Sequence, residues 1–164
     1  MKLVIPGGTG QIGTILARHF QSEGHEVVVL SRRRRAAPWK VVEWDGQTLG
    51  PWVEELEGAD ALINLTGRIV NCRYNYKNRC EIWSSRVRSV RVLAAALLTL
   101  AAPPRVWLQA STATFYSDRY DAPNDEYTGV IGGMENRSPD KWRFSIDVAR
   151  AWEGEFALVD TPKT

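Results

Sequence analysis

Glycines recur every third residue in a short segment near the N-terminus, at Gly7, Gly10 and Gly13. The apolar run at residues 3–5 before them predicts a buried strand, and apolar side chains at helical spacing over residues 14–20 predict a helix after them. Glycine lets the backbone turn tightly and approach a pyrophosphate, whose charge then faces the amides and the dipole of the helix N-terminus. This context predicts a dinucleotide-binding turn. A tight turn that merely requires a positive φ is the alternative.

The end of the second predicted strand, residues 26–30, indicates which dinucleotide the site would take. In NAD-binding sites an acidic residue about 20 positions beyond the glycines accepts the ribose hydroxyls. Here Ser31 and Arg32 follow the strand, and no carboxylate is nearby. A serine hydroxyl and a guanidinium suit a 2′-phosphate, which arginine can bind through paired hydrogen bonds. We therefore predict NADP rather than NAD as the cofactor, and we interpret Arg34 and Arg35 as solvated charges.

Strand-like and helix-like patterns alternate along the rest of the chain. The strands are predicted at residues 3–5, 26–30, 40–44, 61–65 and 106–110. The helices are predicted at residues 14–20, 50–56, 77–102 and 141–158. Strands separated by helices predict an α/β, doubly wound Rossmann fold, with a parallel sheet of about five strands in the order 3-2-1-4-5 and helices on both faces.

Composition limits the function classes further. The 164-residue chain is 44% hydrophobic and 24% charged, with a formal net charge of +2, as is ordinary for one globular domain. Its arginines are spread out apart from one short run, so we expect no nucleic-acid partner. No apolar stretch approaches the roughly 20 residues that span a bilayer, and the N-terminus has no secretory signal pattern. Cys72 and Cys80 lack a cluster at metal-ligand spacing. We expect a cytoplasmic protein without a metal site or a membrane partner.

Three motifs resemble those of the extended short-chain dehydrogenases/reductases: the glycine turn, Asn64-Leu65-Thr66-Gly67, and Ala110-Ser111-Thr112-Ala113-Thr114-Phe115-Tyr116. Four shorter ones are similar to an atypical branch, the nucleoside-diphosphate-sugar epimerases of the NAD-dependent epimerase/dehydratase family: Leu30-Ser31-Arg32, Arg73-Tyr74, Ser85-Arg86 and Trp152-Glu153. The resemblance covers nearly the whole chain but only about the N-terminal half of a family member. It implies that residues 1–164 form an NAD(P)-binding Rossmann domain that lacks the family's later strands and substrate-binding region.

The resemblance also implies roles for particular residues. The implied cofactor contacts are Gly7, Thr9, Gly10, Gln11, Ile12 and Gly13 at the pyrophosphate, Arg32 at the adenosine phosphate, and Leu65, Thr66 and Gly67 on the ribose and nicotinamide side. Thr112 stands where the family has its catalytic Ser or Thr, which hydrogen-bonds a substrate oxygen. Arg86 would reach the ribose or the substrate, and a position on a polar helix face is its alternative.

The last predicted helix departs from the family pattern, in which a Tyr-x-x-x-Lys supplies a proton donor and a lysine that lowers its pKa. If Trp152 stands at the lysine position, Val148 stands at the tyrosine position, and neither side chain can transfer a proton. Tyr116 remains as a candidate proton carrier close to Thr112, with aromatic packing as its alternative. The following loop holds further titratable side chains that we interpret as solvated: Tyr120, Asp121, Asp125 and Glu126.

Two hypotheses on function follow. The first is an NADP(H)-binding epimerase/dehydratase-like or oxidoreductase protein that acts on an unknown small polar or sugar-nucleotide substrate, with Thr112 and Tyr116 in catalysis. The second is a catalytically silent NADP(H)-binding sensor or regulatory module, which explains Val148 and Trp152. If the family's later parts are absent, the apolar surface that they would cover could support self-association, so a homo-oligomer is a further expectation.

Overall fold

The computed structural model describes residues 1–133 and 140–159. Within them, five strands run at Lys2–Pro6 (β1), Glu26–Ser31 (β2), Lys40–Glu43 (β3), Ala61–Asn64 (β4) and Val106–Gln109 (β5). Three α-helices run at Gln11–Ser22 (α1), Tyr76–Leu97 (α2) and Asp140–Ala157 (α3), and 3₁₀ helices lie at Pro51–Leu56 and Ala113–Phe115. Residues 160–164, where a sixth strand could be expected, lie outside the described residues.

The five strands form one parallel sheet in the order β3-β2-β1-β4-β5. β1 is the central strand, with Lys2 level with Glu26 of β2 and Leu3 level with Ala61 of β4. The winding direction changes between the two neighbours of β1, which creates a crevice at the carboxyl ends of these strands. The predicted doubly wound Rossmann fold is confirmed.

Helices cover both faces of the sheet, as predicted. Successive strand residues point to opposite faces, so Leu3 and Ile5 of β1 share one buried cluster with Ala17 of α1. Val4 lies in the opposite cluster, together with residues of α2 and with Trp152 of α3. Burial on both faces explains why β2 is an unbroken apolar run rather than an alternating one.

The turn between β1 and α1 is packed at the level of the backbone. Gly7 has a φ of +74°, and a Cβ at this residue would lie 2.9 Å from backbone atoms of Leu65 and Thr66. A Cβ on Gly13 would come within 2.7 Å of the carbonyl carbon and oxygen of Gly8. Helix α1 can begin directly against the turn because these positions carry no side chain. Its N-terminus is thereby fixed at the carboxyl edge of the sheet.

Two helices differ from their predicted form. The apolar pattern predicts that the long helix continues to residue 102, but α2 ends at Leu97. Beyond this end the Glu57 carboxylate accepts hydrogen bonds from the amides of Ala101 and Ala102, at 3.2 and 2.6 Å. Glu57, which is 44 residues from Ala101 in the sequence, thus accepts the hydrogen bonds that these amides would donate within the helix if α2 were longer. The short helix predicted at residues 50–56 forms as the 3₁₀ helix Pro51–Leu56.

The contact between Gly8 and Gly13 gives a stability prediction. Gly13→Ala should lower the free energy of unfolding by about 1–3 kcal/mol, because the added methyl group would overlap the Gly8 backbone. Gly154→Ala is the matched control: this glycine also lies in a helix, and a Cβ there meets nothing within 4 Å. The control should be neutral or stabilising by up to about 1 kcal/mol. Urea unfolding followed by circular dichroism measures both, and equal effects of the two substitutions would contradict the prediction.

Candidate functional site

The carboxyl edge of the sheet borders a cavity of about 820 Å³. Four strands deliver residues to its wall: Gly7 follows β1, Arg32 follows β2, Asp45 lies beyond β3 and Leu65 follows β4. One side of α2 completes the wall. The volume is in the range of small-molecule and cofactor sites, and the position is the one where open α/β sheets bind ligands.

The glycine turn contributes Gly7, Thr9 and Gly10 to the cavity wall. Gly10 is the N-cap of α1, with an ordinary extended backbone at φ −75° and ψ 176°. A Cβ on Gly10 would meet only the carbonyl oxygen of Gly7, at an unstrained 3.5 Å. The packing of the protein itself therefore does not require glycine here. A group in the cavity that approaches the backbone closely would require it.

The first turn of α1 holds Gln11, Ile12 and Gly13, which the structure does not place among the cavity-lining residues. The side chains of Gln11 and Ile12 are exposed, and Gly13 is buried against Gly8. The amides at the start of a helix have no intrahelical acceptor. Since this turn has no acidic side chain and no side-chain cap, the positive end of the helix dipole is available to an anion.

Polar and basic side chains surround the end of β2. Ser31 is buried, and its Oγ lies 3.5 Å from Thr9 Oγ1 and accepts a hydrogen bond from the Arg33 amide at 3.4 Å. Arg32 and Arg33 both line the cavity. Within the part of the chain that the structure describes, neither guanidinium has an ion-pair partner. This end of the cavity thus offers uncompensated positive charge beside a hydroxyl group.

The two arginines that we interpreted as solvated differ from each other. Arg34 is an exposed side chain whose Nε lies 3.8 Å from Glu43 Oε2, a weak surface ion pair. Arg35 is also exposed, but it lines the cavity. Three of the four arginines at residues 32–35 therefore line the cavity, whereas the sequence predicted a cofactor contact for Arg32 alone.

The residues after β3 are part of the site and were missed in the sequence. Asp45, Gly46 and Gln47 line the cavity beside the end of β2. The amide and hydroxyl of Thr48 donate to the Asp45 carboxylate, as does the Gln47 amide, and these hydrogen bonds lower the pKa of Asp45 below its usual value. Strand β3 ends at the same edge of the sheet as β1 and β2. Because ligands in such sheets bind beyond the carboxyl ends of the strands, the sequence could have indicated this segment as well.

Asn64 fixes the loop after β4 from inside the core. Its side chain is 0% exposed, and Nδ2 donates to Gln109 Oε1 on β5 at 2.9 Å and to Ser89 Oγ on α2 at 3.4 Å. Its Oδ1 accepts a hydrogen bond from the Thr66 amide at 3.0 Å. Through this network two strands and a helix position the loop. The loop places three predicted contact residues in the cavity wall: Leu65, Thr66 and Gly67.

Arg68 adds a charged part of the wall that the sequence did not reveal. Its guanidinium donates to the Glu81 carboxylate and to Asn78 Oδ1, the latter at 2.8 Å, and its amide donates to Ser85 Oγ at 2.9 Å. Glu81 and Ser85 are four residues apart on α2 and both line the cavity. Thr66 Oγ1 and Arg68 Nε are buried without a hydrogen-bond partner among the described residues.

Arg86 lies behind this wall rather than among the lining residues. Its Nη1 donates to the carbonyl oxygens of Arg68 at 3.2 Å and Ile82 at 3.1 Å, and its Cζ is 5.3 Å from the centroid of the Trp152 ring. Burial lowers the pKa of the Arg86 guanidinium, and the nearby Tyr74 acts in the opposite direction. No carboxylate within the described ranges forms an ion pair with it.

The two predicted catalytic residues, Thr112 and Tyr116, also lie outside the cavity lining. Thr112 is the N-cap of the 3₁₀ helix Ala113–Phe115, and its Oγ1 accepts from the Thr114 amide at 3.3 Å and lies 2.9 Å from Thr114 Oγ1. Tyr116 is half-buried, and a Cβ on Gly129 would lie 2.8 Å from its Cδ1. Local packing accounts for both side chains in this conformation.

The four loop side chains that we interpreted as solvated are exposed: Tyr120, Asp121, Asp125 and Glu126. Hydrogen bonds from Arg119 lower the pKa of Asp121 to about 2. The amide and hydroxyl of Thr128 donate to Asp125 and lower the pKa of that carboxyl as well. These acids stabilise their own loop.

Neither residues 1–133 nor residues 140–159 contain three or more His, Cys, Asp or Glu side chains grouped so that they could hold a metal ion. Among the described helices, none has both the length and the apolar character needed to cross a membrane. Cys72 and Cys80 are free thiols.

Comparison with known proteins identifies the family. The sequence profile of the NAD dependent epimerase/dehydratase family matches residues 3–139. The chain belongs to this family. The epimerase family protein SDR39U1 of Bos taurus is 33% identical to the chain over 129 residues, which are 77% of the chain and 42% of that protein. The chain thus spans less than half the length of this relative.

Solved structures of the family have the same fold. The human epimerase family protein SDR39U1 with NADPH has a TM-score of 0.76 and 26% identity, and the match covers 99% of this chain and 50% of that one. The nucleoside-diphosphate sugar epimerase of Corynebacterium glutamicum has a TM-score of 0.70 and 28% identity, over 96% of this chain and 30% of that one.

This epimerase/dehydratase family member is apolar on α3 at the two positions that we assigned to the family's tyrosine and lysine. Val148 is 4% exposed and Trp152 is 5% exposed. Trp152 lies in the core cluster between the sheet, α2 and α3. The two side chains serve the packing of α3, and neither carries a group that can exchange a proton near neutral pH.

The buried Asn64 network gives a second stability prediction. Asn64→Ala should lower the free energy of unfolding by about 1–3 kcal/mol, because the Thr66 amide and Gln109 Oε1 would lose their partner in the core. Asn71→Ala is the control, since Asn71 is exposed. Thermal and urea unfolding of both variants measure the difference. A loss in Asn64→Ala no larger than that in Asn71→Ala would show that the network adds nothing to stability.

Proposed function

We propose that this family member binds NADP(H) and uses it in an epimerase/dehydratase-like or oxidoreductase reaction on a small polar or sugar-nucleotide substrate. The observation that supports the proposal best is the cavity, into which the glycine turn, the arginine-rich end of β2 and the loop after β4 all open. NADPH in the human relative's structure supports the cofactor. The name of the Corynebacterium glutamicum relative supports a nucleoside-diphosphate sugar as the substrate class.

The wall residues fit the parts of a dinucleotide in sequence order. The pyrophosphate would lie on Gly7 and Gly10 and face the first turn of α1, which holds Gln11, Ile12 and Gly13, with Thr9 beside it. The adenosine 2′-phosphate would lie at Ser31 and Arg32. The ribose and nicotinamide would lie along Leu65, Thr66 and Gly67, with Arg86 behind them. The open space at Gly10 is the observation that favours a bound group.

The preference for NADP over NAD depends on charge at the end of β2. Arg32, Arg33 and Arg35 line the cavity there, whereas the lining carboxylate of Asp45 is occupied by hydrogen bonds from its own turn. A guanidinium binds a phosphate through parallel hydrogen bonds, but it offers no acceptor to the two ribose hydroxyls of NAD. The balance of donors therefore favours the 2′-phosphate.

Catalysis would use the segment after β5. Bound nicotinamide supplies or accepts a hydride. Thr112 would hydrogen-bond a substrate oxygen, for which its hydroxyl has to turn away from Thr114. Tyr116 would hold the proton that this oxygen gains or loses. Both residues follow β5, whose carboxyl end adjoins that of β4, and ligands in such sheets lie beyond these ends.

A second candidate function is cofactor binding without turnover, as in a sensor or regulatory module. The burial of Val148 and Trp152 favours it, because α3 then contributes packing alone. A cytoplasmic location, a homo-oligomeric state and the role of residues 1–164 as one dinucleotide-binding domain remain predictions of the sequence and belong to this proposal.

Cofactor choice is tested at Arg32. Arg32→Gln should raise the Kd for NADPH by roughly 10- to 100-fold and change that for NADH little, because it removes a charged donor to the 2′-phosphate. Arg34→Gln, at the surface ion pair with Glu43, should leave both values unchanged. Titrations followed by nicotinamide fluorescence measure all of them. Equal affinities of the unmodified chain for NADPH and NADH, or tighter NADH binding, would refute the preference.

Turnover is tested separately at Thr112. Where a panel of sugar nucleotides and carbonyl compounds gives NADPH oxidation, Thr112→Ala should lower kcat by roughly 100-fold, because a donor to the reacting oxygen is lost, with the Kd for NADPH unchanged. Thr128→Ala, in the exposed loop, is the matched control and should retain kcat. NADPH binding without oxidation across the whole panel would support the silent binding module instead.

A further inference from the structure

Strand β5 forms one edge of the parallel sheet. Among residues 1–133 and 140–159 its neighbour is β4 alone, so the other side of its backbone has no partner strand there. The Ala110 amide donates to the Asn64 carbonyl oxygen after β4. Because the residues of a strand alternate between its two sides, the backbone N–H and C=O groups of Trp107 and Gln109 point away from β4. An edge of this kind can pair with another strand.

The β5 edge lacks the features that usually prevent strand pairing. Its sequence, Val-Trp-Leu-Gln, contains no charged residue and no proline. Leu108 is level with Ile63 of β4, which is buried in the cluster beside α1, so Leu108 points to the α1 side of the sheet. It nevertheless remains 44% exposed. Helix α1 thus leaves an apolar side chain at this edge partly uncovered.

The two ends of β5 carry opposite charges. At the amino end, the Arg105 side chain is 84% exposed, and its Nη1 lies 3.7 Å from Asp60 Oδ1 in a weak surface ion pair. At the carboxyl end, the Ser111 hydroxyl donates to the Glu153 carboxylate of α3. No cation of the described residues forms an ion pair with Glu153. Arg105 and Ser111 are an even number of residues apart, so an extended chain directs both side chains to the same face.

We propose that β5 pairs with β5 of a second copy of this chain, antiparallel about a two-fold axis at Leu108. Leu108 then lies opposite Leu108 of the second copy, and Arg105 of each copy lies opposite Ser111 of the other, beside Glu153. A two-fold interface repeats each contact, so opposite charges meet twice. A parallel arrangement of the two strands would place Arg105 beside Arg105.

The register is determined by the ends of the paired segment. With the axis at Leu108, Pro104 lies just outside the pairing, which suits a residue without an amide hydrogen. With the axis at Trp107, Pro104 would lie inside the pairing, and Arg105 would be opposite the uncharged Gln109. The axis at Leu108 therefore agrees better with the sequence at both ends.

The inference rests on the proposed function only in giving a location to the homo-oligomer expected there. Arg105, Leu108, Ser111 and Glu153 lie outside the cavity lining, so cofactor binding does not require the interface. A monomer that binds NADPH would refute the interface alone. A dimer that binds no NADPH would refute the cofactor alone.

Disulfide trapping tests the register. Because the backbone groups of Leu108 face β4, the two copies of Leu108 would form a non-hydrogen-bonded pair with Cα atoms about 4.5 Å apart, within the range of a disulfide. Leu108→Cys in a Cys72→Ser/Cys80→Ser background should form a covalent dimer on mild oxidation. Leu98→Cys in the same background is the control, since Leu98 is exposed at the end of α2. Equal cross-linking of the two variants, or none, overturns the proposal.

Sedimentation equilibrium of the 164-residue chain over a concentration series tests the charge pairing. The unmodified chain should show a monomer–dimer equilibrium. Arg105→Glu and Glu153→Arg should each raise the dimer Kd by roughly 10-fold, because like charges would then meet. A mixture of these two variants should restore the dimer, since the facing positions again carry opposite charges.

Arg34→Glu is the matched control. The Arg34 side chain is as exposed as that of Arg105, and it makes an equally weak ion pair, with Glu43 at 3.8 Å, but it lies beyond β2 rather than at β5. This variant should leave the dimer Kd unchanged. A chain that stays monomeric at every concentration, or a dimer that neither charge reversal weakens more than Arg34→Glu does, overturns the proposal.

Discussion

The close approach of two backbone segments at the start of α1 determines where everything else can lie. Gly8 and Gly13 are in contact and leave no room for a methyl group on Gly13. The backbone of Gly7 also lies close to the loop after β4. Because the helix begins so near the sheet, its first turn, whose amides have no intrahelical acceptor, lies at the carboxyl edge of the sheet. The cavity between the turn, β2 and the β4 loop is a consequence of this contact. A bulkier turn would lift α1 and open the site.

The order of the strands in the parallel sheet determines which segments of the chain line the cavity. Four carboxyl ends deliver a glycine turn, a basic segment, an Asx turn and a loop fixed by Asn64 to one cavity, although these segments are far apart in the sequence. Each segment offers a different chemistry to the cavity, since backbone amides, guanidinium groups and hydroxyls form different kinds of hydrogen bond. Asn64 is central to this arrangement because one buried amide joins β4, β5, α2 and the loop.

Local patterns were enough to predict the fold and much of the cavity, whereas features that depend on distant contacts were not. β-branched runs predicted the strands, and the glycine turn predicted the order of the sheet, as the structure confirms. The end of α2 was predicted wrongly because Glu57, far away in the chain, takes the amides of Ala101 and Ala102. Glu81 was missed, and Ser85 was noted only as part of a family motif, because the position of both at the cavity depends on the rotation of α2 about its axis. The predicted contacts and catalytic roles remain predictions.

The arginines that line the cavity and the hydroxyl of Thr112 differ in whether a neighbouring group of the chain already occupies them. Arg32 and Arg33 line the cavity and carry charge with which no carboxylate of the described residues forms an ion pair. The hydroxyl of Thr112, by contrast, is occupied within its own turn. Free charge next to a cavity favours ligand binding at once, but a hydroxyl already in use reacts only after a rearrangement. Such a rearrangement has to be driven by contacts that a substrate makes in one state and not in the other. Under the proposed enzymatic function, catalysis would therefore depend on substrate binding in a way that cofactor binding does not.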